Sequence, residues 1–389
     1  MITYKQLRRI IEERAKNKGL EIVSPSSTIS WLYPGQFAYC LNEEFIWDRY
    51  GSLIDMPGEI HFHKIQPVIR WDDYIIYFLG RTKNPPQSST DHLTSFDMST
   101  IDGGHIINKE NYAKYSKMIF GGIVSFLIND LGLDKNKLEI TYFSGEKLSI
   151  LSSNKKGVPR FDFEKYIPED KEAKEELLSL GLQESQIKPN NTRDCFLIPD
   201  WLCGEAAPWG YRNEINYRTN AGLIDIATIE RLFLRPIYKN GKLVDVVEWD
   251  KRFLINGAGL ERLVMVVNSL PEINQVDTIN PLFDFIASRG YDNVPLLCES
   301  LRTSHRIIAD SRGNLTDKRS PGKSEERRWK YNKILRNLIH VQDIDIRDFY
   351  NLNAELQPHY EELSQVVELA VEEVKQYKEK LENSGFKID

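Results

Sequence analysis

No apolar run in this chain approaches the roughly 18 consecutive residues that a membrane-spanning helix needs, and the first residues lack the apolar core of a secretory signal. A membrane partner is therefore not expected. Nor is there an excess of positive charge. The formal net charge is -6, so contact with nucleic acid has to come from a local patch rather than from a global field. Cysteine is scarce as well. Cys40, Cys195, Cys203 and Cys298 show no Cys-x-x-Cys spacing, which argues against zinc or a disulfide framework and fits a reduced, cytoplasmic setting. What is present is ordinary for a globular protein: 389 residues, 41% hydrophobic and 28% charged. That is enough chain for roughly two or three domains.

The chain is organised around Asn256–Gly257–Ala258–Gly259–Leu260–Glu261–Arg262. Phe253, Leu254 and Ile255 predict a strand that ends at the two glycines. A helix then starts at once, with Leu260, Leu263, Val264 and Val267 on its apolar face. Glycine lets a backbone pass close to a ligand or to another strand. An arginine on the first turn of such a helix can meet a polyphosphate. Taken alone, Gly-x-Gly before a helix is more often tight packing.

The surrounding pattern predicts a helix over 4–18, a short strand at 21–23 and a strand over 59–70 that ends in Arg70. His61 and His63 share a face of that strand. With no third ligand evident, they read as a solvated edge rather than a metal site. A loop at 81–91 and a strand over 93–101 complete an antiparallel pair. The helix over 110–130 is too apolar for the surface and should cover a sheet. A strand follows at 138–143, and 145–195 reads as an insertion or lid with a helix at 170–180. Trp201, Gly204, Glu205, Pro208, Trp209, Gly210 and Glu214 suggest a shaped pocket wall rather than a regular element. Strands over 223–234 and 243–247 join through Asn240–Gly241, a good hairpin turn. The expected fold is therefore α/β: a mixed, mainly antiparallel sheet flanked by helices over 1–270, not a doubly wound sheet. An all-helical domain occupies 271–389. It holds helices at 280–288, 297–311 and 325–341, and a last helix with a heptad seam through Leu356, Tyr360, Leu363, Val367, Ala370, Val374, Tyr377 and Leu381. The seam can pair with a second copy, giving a homodimer, or pack on the preceding helices. Lys318, Arg319, Lys323, Arg327, Arg328, Lys330, Lys333 and Arg336 face only Glu325 and Glu326 as counter-charge. They form a patch that suits a phosphate backbone, or else a solvated helix face.

These pieces, in this order, resemble the catalytic core of the alanyl-tRNA synthetases, a class II synthetase family. Gly257, Gly259, Leu260, Glu261 and Arg262 are similar to the third class II motif. Val68–Ile69–Arg70, with Asp72, is similar to the second, and His92 through Met98 to its returning strand. Trp201, Gly204, Glu205, Pro208, Gly210 and Glu214 match a further family segment. His305, Arg306, Ala309 and Asp310 match the opening of the helical tRNA-recognition region. The similarity is thin between about 145 and 195. The resemblance implies ATP and Mg²⁺ as cofactors, and an amino acid or related carboxylic acid activated as its acyl-adenylate. Arg70 would hold the substrate carboxylate and α-phosphate, Arg262 the γ-phosphate, and Phe96 would stack on adenine. Asp72 and Glu214 would contact adenine or orient Arg70 and Mg²⁺, and Gly257 and Gly259 would let the nucleotide approach. The substrate pocket would draw on Trp201, Gly204, Glu205, Asp225, Ala227, Thr228, Ile255 and Gly257. A tRNA acceptor stem would meet Arg319, Lys323, Arg327, Arg328, Lys330 and Lys333.

The departures matter as much. The family aspartate that binds the alanine ammonium is here Ile255, and the family Trp–Asn pair is Ala227–Thr228, after Asp225. A cation held by isoleucine would lose its charge partner. A substrate other than alanine is expected, unless Asp225, Asp250 or Glu205 takes the ammonium. The family's editing domain and its zinc site have no counterpart here, so no zinc is expected. Three outcomes stay open: charging of a tRNA, transfer of the acyl group to a small amine or a carrier-protein thiol, or RNA binding without catalysis.

Overall fold

In a computed structural model, the structure describes residues 1–41, 43–80, 90–152, 163–199, 207–240, 242–316 and 323–385. The chain divides into two compact units. The first comprises Met1–Pro25, Leu41–Gln66 and Met98–Ser269; the second comprises Ser26–Cys40, Pro67–Asp97 and Leu270–Asp389. The sequence boundary near 270 is therefore one of several, because two early segments belong with the C-terminal helices.

The strands are β1 (Glu21–Val23), β2 (Ile60–Ile69), β3 (Ser95–Asn108), β4 (Leu138–Phe143), β5 (Glu146–Lys147), β6 (Tyr166–Ile167), β7 (Ile187–Asn190), β8 (Phe196–Leu197), β9 (Trp209–Thr219), β10 (Gly222–Lys239) and β11 (Lys242–Gly259). Among the described residues nine of them form one sheet, in the order β1-β2-β3-β11-β10-β9-β4-β7, with β8 beside β9. β3 with β11, β11 with β10, β10 with β9, β9 with β8 and β9 with β4 are antiparallel, whereas β1 with β2 and β4 with β7 are parallel. This is the mixed, mainly antiparallel sheet that the alternation predicts.

β10 and β11 form one hairpin of 18-residue strands. Asn240 takes the left-handed φ of 52° that such a turn requires. The glycine stretch thus continues β11 rather than following it, and the helix Leu260–Val267 begins directly at its end. The register of β11 against β3 shifts between Ile255 and Gly257. Asn256 fills the irregularity: its Oδ1 accepts the amides of Ile101 at 3.0 Å and Asp102 at 2.8 Å. Both amides are buried, and each would be costly to leave unpaired.

The helix Tyr112–Ser125 buries Ile119, Phe120, Ile123 and Val124, as a sheet-covering helix should. The supposed lid is integral to the sheet. β7 extends it, and Asp170, at the start of the helix Lys171–Ser179, forms a fully buried ion pair with Arg231 on β10. The stretch around Trp209 is likewise a regular strand. Gly210 is needed there because a Cβ would lie 2.2 Å from the carbonyl oxygen of Arg231 across the sheet.

The second unit centres on the helix Val294–Ser311, buried without interruption from Leu297 to Ala309. Several of its polar residues find partners within the unit. Glu299 accepts the Thr94 amide at 2.6 Å and pairs with Arg302. His305 lies 2.9 Å from the Leu363 carbonyl and 3.1 Å from Asn353, and burial pulls its pKa down to about 3. The single last helix expected from the heptad rhythm is three: Asp343–Leu356, Glu361–Gln365 and Val367–Asn383. Pro358 ends the first of them. Tyr360, Leu363, Val367, Ala370 and Val374 are buried in the apolar core of this unit. No helix among the described residues is long and apolar enough to cross a membrane.

Candidate active site

In the first unit, alternation along three neighbouring strands sets the residues of the site on one face. Thr228 on β10 stands opposite Glu214 on β9 and Gly257 on β11, while Glu230 stands opposite Arg212 and Ile255. Ala227, one residue from Thr228, belongs to the other face and is 3% exposed, so it cannot line the same wall. Gly257 is neither strained nor crowded. A Cβ there would meet Leu41 at 3.5 Å and Met98 and Thr228 at 3.8 Å, all ordinary contacts. Protein packing alone does not require glycine at this position.

The face is acidic. Arg212 is shared between two carboxylates, Glu230 at 3.0 Å and Glu214 at 3.5 Å. Burial, then Asp225, then Glu230 and Asp194 push the Glu214 pKa up to about 8, and Arg212 offsets only part. Glu43 is 5% exposed, and its Oε2 has no hydrogen-bond partner. Burial pushes its pKa up to about 8 as well; Lys64 opposes the shift and Glu230 adds to it. Arg262, on the first turn of its helix, donates to the Asp225 carbonyl at 2.8 Å and lies 3.5 Å from Asp225 Oδ2. Asp225 Oδ1 is buried without a hydrogen-bond partner. Ile255 is buried, at 4% exposure. Asp250 is exposed on β11. Trp201, Gly204 and Glu205 lie outside the described residues.

Arg70, Asp72 and Phe96 belong to the second unit. The Arg70 guanidinium stacks 5.0 Å from the Phe96 ring centroid, and its Nε donates to the Tyr39 carbonyl at 3.3 Å. Asp72 is exposed on the short turn that follows Arg70.

The basic helix Ser324–Leu335 differs from its sequence reading. Arg327 is 1% exposed. It donates to the carbonyls of Gln36 at 2.7 Å, Leu315 at 3.1 Å, and Ser30 and Tyr33 at 3.2 Å. Lys330 is 3% exposed and donates to the Gly35 carbonyl at 2.7 Å. Both therefore leave the proposed RNA patch, because both are buried and donate to backbone carbonyls. Arg328 remains partly exposed near Glu373 and Lys323 near Glu326; Lys333 lies over the Trp329 ring. Lys318 and Arg319 lie outside the described residues. The histidine pair is not a solvated edge either. His63 is 1% exposed and bonded to Thr100 at 2.8 Å, and burial pulls its pKa down to about 4. His61 packs on His105 and Tyr115.

Sequence reasoning missed Glu230 and Glu43. An isolated acid in a strand or loop carries no signal of its own; only the cross-strand register and the burial single them out.

No protein-family model matches the chain. It is 27% identical over 235 residues to an alanine–tRNA ligase of Schizosaccharomyces pombe, covering 54% of this chain and 22% of that protein. It is 26% identical over 221 residues to the cytoplasmic alanine–tRNA ligase of Drosophila melanogaster, covering 52% and 20%. With the mitochondrial enzyme of Saccharomyces cerevisiae it shares 26% over 230 residues, covering 53% and 21%. The chain thus spans about a fifth of the length of the curated relatives it matches. A solved pyrrolysyl-tRNA synthetase of Desulfitobacterium hafniense aligns over 70% of this chain and 71% of its own, a loose likeness at a TM-score of 0.32 and 11% identity. The chain is a sequence relative of the alanine–tRNA ligases, with an α/β architecture of a mixed sheet flanked by helices and followed by a helical region.

Proposed function

We propose that the chain is an adenylate-forming ligase that activates an amino acid or related carboxylic acid with ATP and Mg²⁺. The observation that carries this reading is the 26–27% identity to alanine–tRNA ligases over about half the chain. In the reaction, the substrate carboxylate attacks the α-phosphate, pyrophosphate leaves and an acyl-adenylate remains. The protein needs chiefly to position the groups and neutralise charge. Arg70 is assigned to the carboxylate and α-phosphate, since a guanidinium offers a fixed fork to both and stays charged. Arg262 is assigned to the γ-phosphate, Phe96 to adenine, and Gly257 and Gly259 to close backbone approach. Glu214 and Asp225 supply oxygen donors of the type Mg²⁺ takes. Their mutual repulsion and the unpartnered Asp225 Oδ1 fit a cation arriving with the nucleotide.

For the acceptor there are two readings. One is a tRNA, contacted through Lys323, Arg328 and Lys333. The other is a small amine or a carrier-protein thiol, and the withdrawal of Arg327 and Lys330 from the basic patch favours it. ATP–pyrophosphate exchange across a panel of acids tests the first half-reaction. Exchange should appear with at least one acid and vanish in Arg70→Ala and Arg262→Ala. Exchange unaffected by either substitution would refute the assignment, and ATP binding without exchange would leave an RNA-binding protein as the reading. Radiolabelled acid then separates acceptors by where the label ends: on tRNA, on a thiol or on an amine.

A further inference from the structure

Ile255 stands where the resemblance calls for a carboxylate, yet its direct neighbour across β10 and β11 is Glu230. The two side chains share a face, about 5 Å apart at Cβ as for any directly opposed antiparallel pair. Glu230 is also within electrostatic reach of Glu43 and Glu214, raising the pKa of each. The Leu41 side chain lies 3.5 Å from where a Gly257 Cβ would stand, which brings the segment carrying Glu43 over this part of the sheet.

An acidic cluster could be no more than a set of surface ion pairs, but two features speak against that here. Glu43 is 5% exposed with Oε2 unpartnered, so a buried carboxylate oxygen waits for a donor. The cation at Glu230 is also divided between two carboxylates. Arg212 is shared between Glu214 and Glu230, and Arg262 turns to Asp225. A buried carboxylate without its own cation is costly, and a single ammonium group removes that cost.

We propose that Glu230, together with Glu43, binds the ammonium group of the acid this chain activates, in place of the carboxylate absent at Ile255. The substrate is therefore an amino acid, not an amine-free acid. This rests on the proposed ligase function for its meaning, but it concerns binding and is tested by binding.

The full chain is titrated calorimetrically, in the presence of a non-hydrolysable ATP analogue and Mg²⁺, with matched pairs: alanine and propionate, phenylalanine and 3-phenylpropionate, leucine and 4-methylpentanoate. At least one amine-bearing member should bind and its amine-free partner should not. Glu230→Gln and, independently, Glu43→Gln should each weaken that binding by roughly 30-fold or more, as expected on removing one partner of a desolvated charge pair. Ile255→Asp placed in the Glu230→Gln background should recover most of the loss. Equal binding of an amine-free partner, unchanged affinity in both glutamine variants, or failure of every amine-bearing acid to bind overturns the proposal. Binding that behaves as stated without pyrophosphate exchange sinks only the ligase reading.

Discussion

Glu214→Gln should make the unliganded protein more stable at neutral pH, and the gain should disappear in acid. The Glu214 side chain is 19% exposed and faces Asp225, Glu230 and Asp194, with Arg212 as partial compensation. Its pKa is pushed up to about 8 from an ordinary 4.5. A carboxyl raised in this way favours folding when protonated. That contribution is complete below the unfolded value of 4.5 and is lost as pH rises towards 8. Between pH 4.5 and 7 the loss amounts to about 1.4 kcal/mol per pH unit, roughly 3 kcal/mol in all if the group acts alone. Proton sharing with the neighbouring carboxylates lowers this, so about 1–3 kcal/mol is the working range. Glutamine keeps the shape and cannot ionise. Urea midpoints for both proteins at pH 5 and pH 7 measure the effect. The variant should unfold at higher urea at pH 7, and the two curves should nearly coincide at pH 5. A variant less stable at pH 7, or a difference that does not change with pH, would refute the electrostatic account of this site.

Other outcomes follow from single residues. Arg327→Ala removes a buried guanidinium that donates to four carbonyls and should lower stability by about 3–5 kcal/mol, visible as a large drop in thermal midpoint. Arg327→Lys should recover little, because an ammonium cannot reproduce the guanidinium fork. Gly257→Ala should leave the thermal midpoint nearly unchanged, since its Cβ finds only ordinary contacts, yet weaken binding of ATP or acid in calorimetry. A folding defect there would mean the glycine serves packing instead. Asn256→Ala leaves the Ile101 and Asp102 amides unpaired and should cost about 2–4 kcal/mol in chemical denaturation.

The central hairpin was legible because strands of period two flank an Asn–Gly turn, a local signal. The strand Trp209–Thr219 was not. Its sequence, Trp-Gly-Tyr-Arg-Asn-Glu-Ile-Asn-Tyr-Arg-Thr, carries polar residues on both faces. Asn213 bonds the Thr141 carbonyl on one side, while Arg212 and Glu214 face the acidic site on the other, so no alternation survives to be read. A strand that lines a site loses the pattern by which strands are recognised. The basic helix failed for a different reason. Counting charges along 318–336 describes a patch, but the Gln36 carbonyl that claims Arg327 lies 291 residues away in sequence. Nothing local marks that guanidinium as internal. The same limit hid Glu230. Its meaning depends on facing Ile255 across one register position, and a slip of one residue would turn it to the opposite face, towards the covering helix. The site's chemistry therefore rests less on motif residues, which local spacing displays, than on the register between β10 and β11, which only the folded sheet defines.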